Sequence, residues 1–185
     1  MSSRKTIEYF LNEDFTDISK LLSLALNQSK EQQFSNPNYV LNDEELNKVT
    51  SLIEQRDNGK PYAYIKGSKG FYDLDFIVTP ATLIPRPETE LLIDIVLDTF
   101  NTTTKISALD LGTGSGAIAV TLSEKYPSWK ITATDQSIDA IKIAKLNVTN
   151  KIDFYCGDWF DPLPKDKFDL IVSNPPYVGR DEMQT

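Results

Sequence analysis

From residue 105 onward the chain switches repeatedly between two hydrophobic periods, and that alternation leaves few folds open. Ile106 to Leu111 reads as a strand, Gly116 to Lys125 as a helix and Ile131 to Thr134 as a strand. Ile138 to Val148 reads as a helix, and Ile152 to Tyr155 and Phe168 to Ser173 as two more strands. Strands joined through single helices with short links pair in parallel, because each helix returns the chain to the same end of the sheet. The expected class is an open α/β fold of the nucleotide-binding kind.

The first 60 residues are patterned differently. Ile7, Phe10 and Leu11 fall at helical spacing, as do Ile18, Leu21, Leu22, Ala25 and Leu26. Ser35 to Asn38 reads as a loop. Asn42 and Glu45 form a capping-box pattern ahead of Leu46, Val49, Leu52 and Ile53, with Gly59 as a stop. Phe71, Leu74, Phe76 and Val78, between Gly70 and Pro80, suggest a β-hairpin or extended linker. Pro85-Arg86-Pro87-Glu88 then opens a helix with Leu91, Leu92, Ile95 and Val96 on its buried side. The expected organisation is a helical bundle over 1–68, a hairpin or linker over 69–84 and an α/β domain over 85–185.

Composition narrows the chemistry. Among 185 residues there is no histidine and one cysteine. That removes Ser-His-Asp and Cys-His nucleophile pairs, histidine acid–base catalysis and nearly all zinc sites, so no metal is expected. A single thiol, Cys156, makes no internal disulfide; with no histidine partner it is expected to be structural. The net charge of −8 disfavours non-specific nucleic-acid binding. No apolar run approaches the roughly 20 residues of a membrane span. Arg4 and Lys5 are followed at once by Glu8, Glu13 and Asp14, unlike a secretory signal. A cytoplasmic protein is expected.

Three sites can carry chemistry, each after a strand. Asp110-Leu111-Gly112-Thr113-Gly114-Ser115-Gly116-Ala117 joins the first strand to a helix, and its glycines allow a tight turn and close approach of a ligand. Asp135 ends the next strand, where a carboxylate can accept both ribose hydroxyls of an adenosine. Gly112, Gly114 and Ala117 also fit a dinucleotide fingerprint, so this site alone says only an adenosine-containing cofactor. Asp158-Trp159 follows the third strand: Trp159 can flank an adenine and Asp158 can accept from its amino group, or Trp159 can simply cover the core.

Asn174-Pro175-Pro176-Tyr177 follows the fourth strand. Two prolines stiffen the loop and remove two N–H donors, leaving carbonyls unpaired. The Asn174 side-chain oxygen and the Pro175 carbonyl can take the two hydrogens of a planar NH₂ group, with Tyr177 on its flat face. The plain alternative is a rigid strand exit. Arg86 and Glu88 either line this region or cap their helix, and capping is the physical expectation.

With these residues in view, the sequence resembles the N5-glutamine methyltransferases of peptide chain release factors, the HemK/PrmC family. The motifs carrying the resemblance are Leu83-Ile84-Pro85-Arg86-Pro87-Glu88-Thr89-Glu90, the Asp110–Gly116 loop, Asp158-Trp159-Phe160 and Asn174-Pro175-Pro176-Tyr177. The resemblance implies a Rossmann-like methyltransferase domain behind a small all-α domain that recognises the substrate. The implied cofactor is S-adenosyl-L-methionine and the implied substrate the Gly-Gly-Gln glutamine of release factors one and two. By motif, Gly112, Thr113, Gly114, Ser115 and Gly116 would contact the cofactor, Asp135 its ribose, and Asp158 and Trp159 its adenine. Asn174, Pro175, Pro176 and Tyr177 would hold the glutamine, Asn174 also lying near the methyl donor and Asn174, Pro175 and Tyr177 acting catalytically.

The family's catalytic domain continues with further strands, so a domain truncated after its fourth strand is expected. A monomer without membrane or direct nucleic-acid contact is the expected state. Adenine-N6 nucleic-acid methyltransferases share the Asn-Pro-Pro-Tyr chemistry and form the alternative enzyme reading. A non-catalytic release-factor-binding module is a third reading. A dinucleotide-dependent dehydrogenase would leave Asn174 to Tyr177 without a role.

Overall fold

The computed structural model describes residues 5–101 and 103–175. The chain divides into two compact units between Lys66 and Gly67.

The first unit holds α1 (Ile7–Leu11), α2 (Ile18–Leu26), α3 (Lys30–Ser35), α4 (Asp43–Asp57) and α5 (Tyr62–Lys66). Ile7, Phe10, Leu22, Ala25, Leu41 and Val49 form its core. The Asn42 side chain accepts from Glu45 N at 2.9 Å and Glu45 Oε2 accepts from Asn42 N at 2.9 Å, so the capping box is complete. Part of the expected loop at 35–38 is instead the end of α3. Its apolar residue, Phe34, is exposed, and its buried residue is Gln33. The Gln33 Nε2 donates to Ser19 O and Ser23 Oγ, while Ser19 Oγ donates to Gln33 Oε1, which satisfies a buried amide.

The second unit opens with an antiparallel hairpin, β1 (Ser68–Phe71) and β2 (Leu74–Ile77). Phe71 and Phe76 meet edge to face at 6.0 Å and are buried in this unit's core, so the hairpin packs as part of it. A 3-10 turn, Pro87–Thr89, leads into α6 (Glu90–Thr99). Ile93 and Val96 are the buried residues of α6, whereas Leu91 and Ile95, expected inside, are 60% and 52% exposed. Leu92 and Val96 pack inward as expected, and the buried face is rotated from Leu91 and Ile95 toward Ile93 and Leu97.

The main sheet contains β3 (Ser107–Leu111), β4 (Lys130–Asp135), β5 (Ile152–Cys156) and β6 (Leu170–Ser173), with α7 (Ala117–Lys125) and α8 (Ile138–Leu146) as crossovers. All pairings are parallel, in the order β5-β4-β3-β6. The chain runs outward from β3 to β5 and then returns to the opposite side of β3. Strand order therefore reverses between β3 and β6, and a crevice opens at their carboxyl ends. Ser173 Oγ donates to Leu111 O at 2.9 Å and pins the two strand ends together.

Asn147, after α8, ties the hairpin to this crevice. Its Oδ1 accepts from Ile77 N at 2.8 Å, and its Nδ2 donates to Ile77 O at 3.0 Å and to Ser115 O at 2.8 Å. Asn147→Ala is expected to cost about 1 kcal/mol, because it removes three hydrogen bonds, of which only the one to Ser115 O is partly buried. Urea titration checks this; an unchanged midpoint would refute it.

Candidate active site

The loop after β3 turns through three left-handed glycines, Gly112, Gly114 and Gly116. At Gly116 the requirement is twofold: φ is +85°, and a Cβ would lie 3.2 Å from Ala144 Cβ. Gly112 N and Thr113 N both donate to Thr134 O, at 2.9 and 2.8 Å, and Gly116 N donates to Thr113 O at 2.8 Å. Gly114 N donates to Asp135 Oδ2 at 2.9 Å, while Asp135 Oδ1 accepts from Ser137 N at 2.9 Å. Each Asp135 oxygen thus has one backbone partner and keeps acceptor capacity beside the loop.

Asp110 lies beneath this loop, 1% exposed. Its Oδ2 accepts from Thr113 Oγ1 at 2.7 Å and from Ala119 N at 3.1 Å, and its Oδ1 has no partner. Burial pushes its carboxyl up to about 6; the bonds from Thr113 and Ala119 oppose that, and Asp135 adds to it. The start of α7 is where a dinucleotide's pyrophosphate would seek free N–H groups. Here the Ala119 N–H is taken by a carboxylate and the Gly114 N–H by a second one. Both carboxylates place negative charge beside the loop. The two occupied N–H groups leave fewer donors for a pyrophosphate, an arrangement compatible with a sulfonium cofactor.

Asn174 and Pro175 follow β6 across the crevice; Pro176 and Tyr177 lie outside the described residues. A cavity of about 590 Å³ lies against Arg86, Glu88, Thr89, Ser173, Asn174 and Pro175. A narrower one, about 50 Å³, runs between Ile84–Arg86 and the loop residues Gly112, Thr113, Gly114 and Ser115. Leu83, Arg86, Thr89 and Asn174 line both, so the crevice is continuous from the glycine loop to the Asn174 side chain.

The expectation that Arg86 caps its helix does not hold. Arg86 stands at the cap position but its side chain makes no capping bond, and it lines both cavities while Glu88 lines the larger. The proline-bounded backbone sets the turn and leaves both side chains exposed to the crevice. Thr89 carries a contact the sequence did not signal: Asn174 Nδ2 donates to Thr89 Oγ1 at 2.7 Å across 85 positions.

Asp158 and Trp159 line neither cavity. Trp159 is 56% exposed in a left-handed conformation, φ +40°, so it does not cover the core. Gly157 N donates to Asp135 O at 3.0 Å, which brings the start of this segment to the Asp135 side of the crevice. Cys156, expected to be structural, is exposed at the end of β5, its Sγ donating to Gln136 O at 3.6 Å. Among the described residues no group of three or more acidic or cysteine side chains is placed to hold a metal, and no helix is long and apolar enough to cross a membrane.

Comparison with known proteins adds independent findings. Residues 89–185 match the family described as Methyltransferase small domain, and residues 10–67 match the PrmC N-terminal domain. The chain is 41% identical over 167 residues to a release factor glutamine methyltransferase of Aliivibrio fischeri, covering 88% of this chain and 58% of that protein. It is 40% identical over 166 residues to one from Coxiella burnetii, covering 88% and 60%. A bifunctional methyltransferase of Rickettsia bellii is 39% identical over 193 residues, with 88% and 35% covered. The chain therefore spans 58–60% of the length of the first two. A solved methyltransferase from Pyrococcus furiosus has a TM-score of 0.49 at 25% identity, over 67% of this chain and 63% of that one. With a PrmC N-terminal domain followed by a methyltransferase small domain over more than half its length, the chain belongs to the HemK/PrmC family of methyltransferases.

Proposed function

We propose that this chain carries the methyl-transfer site of a protein-glutamine methyltransferase, using S-adenosyl-L-methionine to methylate the N5 amide nitrogen of the Gly-Gly-Gln glutamine in release factors one and two. In this reading it is a monomeric cytoplasmic enzyme that modulates translation termination. Residues 1–66 recognise the release factor, and the second unit from Gly67, with the hairpin packed into its core, carries the methyl-transfer site. The observation that carries the reading is that Asn174 lines the same crevice as the glycine loop.

The cofactor, when bound, supplies a methyl group on a sulfonium, already a strong donor. Gly112 to Gly116 give it close access to backbone, Asp135 accepts from its ribose, and Asp158 and Trp159 flank its adenine. Asp110 and Asp135 together make the crevice hospitable to positive charge.

An amide nitrogen is a weak nucleophile because its lone pair is delocalised. Asn174 Oδ1 and the Pro175 carbonyl each accept one of its N–H bonds, which sets the nitrogen's direction of approach. The same two acceptors favour the positive charge that develops on nitrogen as the new bond forms. The proton then leaves to water, so a chain without histidine is equal to the task.

The test is a methyl-transfer assay on this chain with S-adenosylmethionine, an unmodified release factor and adenine-containing DNA in one mixture. Mass spectrometry should place one methyl on the Gly-Gly-Gln glutamine. A methyl on adenine overturns the substrate. No methyl on either overturns activity for these 185 residues.

A further inference from the structure

We propose that Thr89 is a positioning residue that holds the Asn174 amide in place at the crevice by accepting from its nitrogen; this rests on the amide-holding role given to Asn174 above. The two ends of a primary amide are alike in size and opposite in function. Its oxygen accepts and its nitrogen donates. Taking an N–H from a substrate NH₂ group requires Oδ1 toward the crevice. A flipped Asn174 would set donors against donors and hold nothing.

In the structure Asn174 Nδ2 donates to Thr89 Oγ1 at 2.7 Å, so the nitrogen end of the amide is the end held at Thr89. Thr89 is 7% exposed and its own N–H donates to Arg86 O at 3.0 Å, so the hydroxyl is held on a fixed base. Its place in the chain sharpens the point. Thr89 stands at the N-cap of α6, where a threonine ordinarily turns its hydroxyl onto the first turn. It makes no such bond, and its backbone is already helical at φ −70°, ψ −21°. The hydroxyl is given to Asn174 instead. Both residues line both cavities, so the bond sits where the two halves of the crevice meet.

Thr89→Val keeps the shape and removes the hydroxyl; Thr89→Ser keeps the hydroxyl. For Thr89→Val, kcat should fall roughly 5- to 50-fold, the usual consequence of unmaking a partly buried hydrogen bond. The Kd for S-adenosylhomocysteine should stay within about threefold of wild type, and Thr89→Ser should restore kcat. A second readout does not depend on the substrate. The side-chain NH₂ resonances of Asn174, assigned by their loss in Asn174→Ala, should exchange with water about tenfold faster in Thr89→Val and not in Thr89→Ser. Thr89→Ala should reproduce the Thr89→Val result if valine packs poorly. Unchanged amide exchange in Thr89→Val and Thr89→Ala overturns the proposal, whatever happens to kcat. Faster exchange in a protein that methylates no release factor upholds the positioning role and removes the substrate reading alone.

Discussion

Asn174→Ala is expected to lower kcat for methyl transfer by about 10²–10³-fold while leaving the affinity for S-adenosylhomocysteine within a few-fold. The size follows from what the side chain does. In the proposed role, Asn174 Oδ1 is one of two acceptors for the target NH₂ group and acts on charge that develops as the methyl moves. Removing one preorganised group of this kind costs about 3–4 kcal/mol in the transition state. The cofactor side should be nearly indifferent. Asn174 is one of several residues along the narrow cavity, and the glycine loop is held by its own bonds to Thr134 and Asp135. Isothermal titration with S-adenosylhomocysteine and single-turnover methyl transfer separate the two quantities. Equal losses in kcat and affinity would remove Asn174 from the reacting centre and make it a wall of the cofactor cavity. Asn174→Asp is a stricter version: it keeps an oxygen toward the crevice but replaces the Nδ2 donor that Thr89 accepts from.

The elements that make this site were legible to different depths. The alternation of strand and helix after residue 105 was readable because the hydrophobic period itself changes, from two to 3.6. It implied parallel pairing, and with it a row of loops at one end of the sheet. It did not imply that β6 lies beside β3, since the order β5-β4-β3-β6 depends on where the last connection lands. That placement is what brings Asn174 to the glycine loop. On α6, apolar residues at 91, 92, 93, 95, 96 and 97 leave the rotation of the buried face open, and only packing against the rest of the core turns it toward Ile93 and Leu97. In α3 the buried residue is a glutamine, so no hydrophobic period marks the helix. The capping expected of Arg86 does not hold: a charge near a helix start has a local explanation, whereas crevice lining is a long-range property; Glu88 does stand in the first turn, as that reading expects. The bond between Thr89 and Asn174 has no local signature in either segment.

Asp110→Asn is expected to make the protein more stable at neutral pH and, in the same change, to weaken cofactor binding about tenfold or more. Burial raises the Asp110 carboxyl from its ordinary 3.8 to about 6 in the folded chain. Between those values the folded state keeps a proton that the unfolded chain has already released. Stability therefore falls as pH rises from about 4 to about 6 and stays reduced above that. A gap of roughly two pK units corresponds to about 3 kcal/mol of lost stability at neutral pH. Asparagine does not titrate, so the wild-type and variant stability curves should draw apart across this window, with the variant ahead at pH 7.5. Its carbonyl can still accept from Thr113 and Ala119, which keeps the loop in place. What the variant loses is the negative charge under the glycine loop, and a sulfonium cofactor should feel that loss directly. Chemical denaturation at pH 4.5, 6 and 7.5, with S-adenosylmethionine titrations at each, tests both halves. Parallel stability curves would refute the buried-charge cost. Weaker binding without added stability would mean that the hydrogen bonds to Thr113 and Ala119, rather than the charge, are what the cofactor site needs from Asp110.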